Sequence, residues 1–307
     1  MKQFQLWDPG MQPDVLNREG SFGNISWDYP QLIENIYEPL RRKYPAYITR
    51  QSIGYDTTGE FEMWAYEFTP ANYTKTVYLQ SGVHAIETDA YFGLARLLTL
   101  IADGADERLS YIRNNVRLLV VPVVSVWGVS HRTEVMTDEE TGESWKIPHW
   151  KWHNSLGINA NRDFRDQKAK ETANVVGYFD RYAKEIDFAI DCHSTCGASL
   201  GSWLLPYANG TPEEMAQKFK AVNLALYEKH PTDIPIKFMG EEKYYPVAGF
   251  VNTFTQGFKD TYGVDTLLIE HNDFIYDKLL GTSKTITLAV ELYGNHLLQI
   301  CEDILHA

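Results

Sequence analysis

Four short runs rich in Val, Ile and Leu do most to limit what this 307-residue chain can fold into. They lie at 76–80, 116–124, 188–191 and 266–269, and their apolar residues are consecutive rather than alternating. A strand of that kind is buried on both faces, which requires a sheet covered by helices. The intervening segments supply the helices. Residues 88–102 carry Leu94, Leu97, Leu98 and Ile101 at helical spacing, and 168–185, 212–229 and 283–304 read in the same way. Strands alternating with helices predict an α/β fold. Upstream, 28–47 reads as a helix with the stripe Leu32, Ile33, Ile36 and Leu40. Residues 48–55 and 61–68 read as a hairpin around the turn-rich Asp56-Thr-Thr-Gly-Glu60. Residues 1–28 hold Pro9, Gly10, Pro13, Gly20 and Gly23 without periodicity and read as an irregular arm. One domain over 29–307 follows, with long loops expected at 128–155 and 239–263.

Composition narrows the function classes. Apolar residues make up 44% of the chain, enough for a large core, and the formal net charge is −13. An acidic chain without a Lys/Arg cluster is not expected to bind nucleic acid. No run of 18 apolar residues exists, so no membrane span is expected. The N-terminus lacks an apolar signal segment, and a cytoplasmic location is the default expectation. Three cysteines make no disulfide framework. Cys192 and Cys196 flank His193 but read as small buried fillers rather than a zinc cluster.

The chemistry lies where the strands end. His84 and Glu87 follow the 76–80 run, His193 follows 188–191, and Glu270 ends 266–269. Ligands of open α/β sheets gather outside the carboxyl ends of the strands, so all four are expected at one edge. His84 and Glu87, three apart, are expected on one face of the following helix. Two histidines and one carboxylate leave an open position on Zn²⁺ for water. A further carboxylate beside such a site is what activates that water. His84 alone reads equally well as a polar strand-end residue; the conjunction carries the argument. The stretch Gly157-Ile-Asn-Ala-Asn161-Arg162-Asp-Phe164 adds an Arg with a neighbouring amide, a pair suited to gripping a carboxylate.

Together, His84-x-x-Glu87, the 157–164 stretch, Asp191-Cys-His193 and Leu268-Ile-Glu270 resemble the carboxypeptidase A family of zinc metallopeptidases. Tyr245-Pro-Val-Ala-Gly249 followed by Phe254 is similar to that family's loop bearing a mobile tyrosine. The resemblance implies a single-domain α/β fold with a central mixed, mostly parallel sheet of about eight strands flanked by helices. It implies one Zn²⁺ per chain held by His84, Glu87 and His193, with Glu270 as general base and then general acid. Asn161 and Arg162 would hold the free carboxylate of a peptide or peptide-like substrate, and Tyr245 would close over it.

The chain also departs from the family pattern. Asn159 stands where an Asp usually partners the first zinc histidine; it can accept the same hydrogen bond but adds no charge. The run His149-Trp-Lys-Trp-His153 holds no Arg where the family has one that polarises the scissile carbonyl. Either His149, Lys151, His153 or Arg132 replaces it, or the chemistry is modified. The 250–254 stretch carries no charge, which favours release of an uncharged C-terminal residue. Two other readings stand beside this one. One is a zinc amidohydrolase of the same fold acting on cell-wall stem peptides or acyl-amino acids. The other is a non-catalytic binding protein on a dead peptidase scaffold, which the intact His84, Glu87, His193 and Glu270 set argues against. His271 reads as structural, since strand alternation turns it away from Glu270.

Overall fold

The computed structural model describes residues 5–12, 27–85, 87–131, 136–137, 144–145, 154–195, 203–204, 212–230, 236–237, 252–272 and 282–306. The described chain opens with α1 (Tyr29–Leu32), which runs through a π-helical turn at Ile33–Tyr37 into α2 (Glu38–Lys43). Asp28 and Gln31 form a reciprocal capping box at its start. Pro39 lacks the N–H that would bond one turn back, which accounts for the wider turn before it. The hairpin of β1 (Ile48–Tyr55) and β2 (Glu62–Phe68) is antiparallel, as expected.

Next come β3 (Lys75–Ser81), α3 (Thr88–Asp103), α4 (Glu107–Asn115), β4 (Val116–Val121) and α5 (Val126–Ser130). Two short strands, β5 (Met136–Thr137) and β6 (Ser144–Trp145), pair with each other. After them lie α6 (Lys170–Tyr182), β7 (Phe188–Thr195), β8 (Trp203–Leu204), α7 (Glu213–Lys229) and β9 (Ile236–Lys237). The last elements are α8 (Phe254–Tyr262), β10 (Asp265–Asn272) and α9 (Thr282–His306).

The main sheet has the order β1-β2-β4-β3-β7-β10, parallel from β4 to β10 and antiparallel at the hairpin edge. The α/β class and the mixed sheet flanked by helices are as expected, but the strand count differs. Among the described residues six strands share this sheet, and β8 and β9 pair only with each other. A second correction concerns 239–263, expected as loop throughout. Its end forms α8, started by the Thr253 side chain accepting from Gln256 N–H and stopped by Gly263 at φ +73°.

Packing fixes the sheet edge that carries the polar residues. Tyr78 on β3 meets Phe179 of α6 and Phe258 of α8 edge-on, at 5.0 and 5.5 Å between ring centroids. Phe179 and Phe258 stack at 3.7 Å. Phe164 joins the same cluster against Phe254 and Phe258. Residues 5–12 of the arm are irregular, as expected, but docked. Trp7 is buried, and its backbone exchanges hydrogen bonds with the Asn295 side chain on α9. No described helix is long and apolar enough to cross a membrane.

Candidate functional site

Three parallel strands deliver the polar groups to one edge. Gly82 turns the chain out of β3 at φ +59°, where a Cβ would stand 3.0 Å from Val123. Ser125 N–H bonds Gly82 O at 2.8 Å, tying this turn to the end of β4. His84 and Glu87 occupy the following turn rather than the expected helix face, since α3 begins at Thr88 and Glu87 is its N-cap residue. The spacing of three still brings them together, because Glu87 N–H bonds His84 O and closes the turn.

β7 and β10 run further than their apolar runs suggest. His193 and Glu270 therefore lie inside strands, and the parallel register sets them directly side by side. Neighbouring parallel strands lie roughly 4.8 Å apart, so both side chains leave the same face as close neighbours.

The ligand atoms of His84, Glu87 and His193 all lie within 4.8 Å of one another, and all three residues are buried. Glu87 bridges the histidines, with Oε1 2.7 Å from His84 Nδ1 and Oε2 2.9 Å from His193 Nδ1. The other ring nitrogens also face oxygens. His84 Nε2 is 3.2 Å from Asn159 Oδ1, and His193 Nε2 is 3.0 Å from Asp191 Oδ2. Asn159 Oδ1 also accepts Asn161 N–H at 2.9 Å, so it faces His84 as an acceptor. Once His84 Nε2–H points at Asn159, the neutral ring turns an Nδ1 lone pair toward the Glu87 carboxylate. Two lone pairs face each other there unless a cation stands between them. Two imidazole nitrogens and a carboxylate suit zinc, and an oxygen stands beside each outer nitrogen. The donor set therefore fits a divalent cation.

The electrostatics agree. Burial alone pushes the Glu87 carboxyl up, but His84 and His193 outweigh it and hold it at about 2. Burial opposes a charge on His193, yet Asp191 and Glu87 raise it well above the ordinary histidine value. Glu270 goes the other way, pushed up to about 8 by burial first and then by the Glu87 and Asp191 carboxylates, with His193 and Arg162 opposing. Its Oε2 is shielded from solvent and has no hydrogen-bond partner among the described residues.

The other expected residues divide. Asn161 and Arg162 sit on a short 3₁₀ turn, Ala160–Arg162, whose preceding residue is Asn159, the partner of His84. Asn161 is buried and its Oδ1 accepts Phe254 N–H at 3.3 Å, while Arg162 is exposed and within electrostatic range of Glu270. Asn252 at φ +64° clasps this turn through bonds to Arg162 O, Phe164 N–H and Arg165 N–H. Tyr245, Arg132, His149, Lys151, His153 and Cys196 lie outside the described residues. Asp191 went unrecognised as a partner of His193. Its place two residues earlier on one strand was the available signal, because alternate residues share a face. Tyr293 of α9, which donates to His193 O at 2.8 Å, had no comparable signal.

A family profile described as zinc carboxypeptidase matches residues 33–263, well over half of the chain. Among solved structures the chain is similar to a metallo-carboxypeptidase from Burkholderia cenocepacia, with a TM-score of 0.64 and 14% identity over 90% of this chain and 70% of that one. It is also similar to carboxypeptidase A from Helicoverpa armigera, with a TM-score of 0.63 and 13% identity over 94% and 76%. A metallo-carboxypeptidase from Pseudomonas aeruginosa in complex with (2-guanidinoethylmercapto)succinic acid gives 0.61 and 13% over 87% and 68%. At such identities these structures show a shared fold. A sequence comparison with curated proteins finds no match. The family match covers β3, β7 and the His84, Glu87 and His193 cluster between them, and the chain belongs to the zinc carboxypeptidase family, a hydrolase of metallopeptidase type.

Proposed function

We propose that this chain releases a C-terminal, uncharged residue from a peptide or peptide-like substrate, using one zinc ion per chain. The observation that carries the reading is the parallel register setting Glu270 beside His193, at the edge where His84, Glu87 and His193 converge. These three residues would hold the metal. When bound, zinc supplies Lewis-acid polarisation and a water of lowered pKa.

The chain's own groups do the rest. Glu270 accepts the proton of the attacking water on its carboxylate and later delivers it to the departing amine. A cation beside it opposes the burial that pushes its carboxyl up to about 8, which favours the basic form. Arg162, exposed and within electrostatic range of Glu270, grips the substrate's free carboxylate through its planar fork. Asn161 is held in place by its bond to Phe254 N–H, leaving its amide Nδ2 to donate to that same carboxylate. Asn159 and Asp191 keep the outer nitrogens of the two histidines engaged, so the inner nitrogens stay turned toward the metal. Tyr245 closes over the bound peptide. No nucleic acid or membrane partner is part of this reading.

Glu270→Gln tests it. The variant keeps zinc at one per chain and loses about 10²- to 10⁴-fold in turnover, the usual worth of a positioned general base. Turnover equal to wild type would remove Glu270 from the chemistry.

A further inference from the structure

Behind His193 stands a buried carboxylate. On the side of the ring away from Glu87, Nε2 reaches Asp191 Oδ2 at 3.0 Å, a contact at ion-pair distance but not aligned as a hydrogen bond. Asp191 is buried, and neither of its oxygens has an aligned donor among the described residues. A buried carboxylate in that state is costly unless something donates to it.

The register places a donor opposite. Gln80 on β3 pairs directly with Asp191 on β7 in the parallel ladder. Gln80 is fully buried, and its amide Nε2 likewise has no partner among the described residues. Its other end is committed, because Oε1 accepts the Tyr78 hydroxyl at 2.9 Å. That bond orients the amide. With the carbonyl oxygen turned to Tyr78, the NH₂ end is the one left for Asp191. The reverse orientation would set an amide oxygen against a carboxylate. Strand alternation puts Tyr78, Gln80, Asp191 and His193 on one face of the sheet. That face is the one where Tyr78 meets Phe179 and Phe258. An orphan donor and an orphan acceptor, both buried, thus occupy paired positions on adjacent strands roughly 4.8 Å apart, a separation that a direct bond or one bridging water can close.

We propose that Gln80 is a positioning residue of the metal site, its Nε2 donating to Asp191 so that Asp191 holds the His193 ring with Nδ1 toward the cation. The proposal rests on the reading of His193 as a metal ligand. Gln80 touches neither substrate nor metal in this account; it acts through Asp191 and His193. Tyr78 serves one step further back by fixing which end of the amide faces Asp191. A Gln that merely filled space beneath Tyr78 would matter for folding but not for the metal.

The test is zinc affinity, measured by competition against a fluorescent chelator on the purified full chain. Gln80→Leu removes the donor at nearly constant size. It is expected to weaken zinc binding about 10- to 100-fold, the usual cost of losing an outer partner of a ligand. The metal-free protein should also unfold at a lower midpoint, since Asp191 and the Tyr78 hydroxyl each lose a buried partner, and the cycle with Asp191→Asn separates that cost from the loss at the metal. Asp191→Asn should weaken zinc on its own, and adding Gln80→Leu to it should cost far less than the sum of the two. If Gln80→Leu folds poorly, Tyr78→Phe carries the test. It keeps the ring contacts, frees the amide to turn, and should weaken zinc in the same direction by less. His193→Ala is the control for the underlying reading. Zinc lost in that variant, with wild-type affinity in Gln80→Leu and Tyr78→Phe, would overturn the role of Gln80 alone. Wild-type affinity in His193→Ala would overturn the ligand reading and the proposal with it.

Discussion

His296 gives this protein a specific acid sensitivity away from the metal site. The residue lies on α9 and is fully buried, with its ring near Phe219 of α7. Its Nδ1–H donates to Leu292 O at 2.7 Å, and Nε2 accepts from Asn223 Nδ2 at 2.9 Å. Both bonds suit the neutral ring, and the Asn223 amide is itself held by a second bond to Phe219 O. A proton on Nε2 would face an N–H donor in a fully buried site. Burial, partly offset by the Leu292 bond, accordingly pushes His296 down to about 4 from 6.5. Between those two values the unfolded chain binds the proton and the folded one does not, so folding stability rises with pH across that window. The stabilisation is complete above pH 6.5 and is lost as pH falls toward 4. At 1.36 kcal/mol per pKa unit, the full loss is about 3 kcal/mol, a large share of a typical domain's stability. Urea unfolding of the metal-free protein at pH 7.5 and pH 4, kept in chelator throughout, measures it. Wild type should lose about 3 kcal/mol more over this range than His296→Leu. Parallel pH dependences in the two proteins would refute the argument.

Three further outcomes follow from the geometry. In Gly257→Ala the new Cβ would meet Phe164 Cδ1 at 2.1 Å. The variant should lose about 1–3 kcal/mol and, by shifting the nearby Asn161–Arg162 turn, raise KM for peptides with a free C-terminus while zinc affinity holds; an unchanged KM would show that the clamp does not depend on this packing. Trp7→Ala empties the pocket over Gly294 and removes the Trp7 Nε1 bond to Asp106, and should cost about 3 kcal/mol in denaturant unfolding. A loss near zero would mean that the arm adds nothing to the fold. Asn159→Ala removes the oxygen facing His84 Nε2 and should weaken zinc about tenfold in chelator competition, whereas full affinity would show that the contact does not orient His84.

Much of the fold could be read from the chain because burial on both faces leaves an unbroken apolar run. Strands β3, β4, β7 and β10 were found on that signal, and helices α3, α6, α7 and α9 on the spacing of their apolar residues. The same signal failed where the strands turn polar. It ended at Asp191 and Ile269, whereas the β7–β10 ladder continues through His193 and Glu270, because register continues where hydrophobicity stops. His84 and Glu87 were expected on a helix; spacing of three serves a tight turn as well, and the Gly82 conformation decides between them. α8 was missed although its Thr253 cap and terminal Gly263 were visible, because few apolar residues lie between them. Asp191 and Gln80 depend on cross-strand register, which no single stretch of sequence displays.

The most direct test of the account is mass spectrometry of a mixed peptide pool incubated with the zinc-loaded protein. Each peptide is supplied with a free and with an amidated C-terminus, and a chelator-treated sample runs alongside. The expected result is loss of single uncharged residues from free C-termini only, abolished by the chelator and by Arg162→Ala. Chelator-sensitive cleavage of both forms, or cleavage of neither, would contradict a carboxypeptidase and point to an amidohydrolase acting at this site on another substrate.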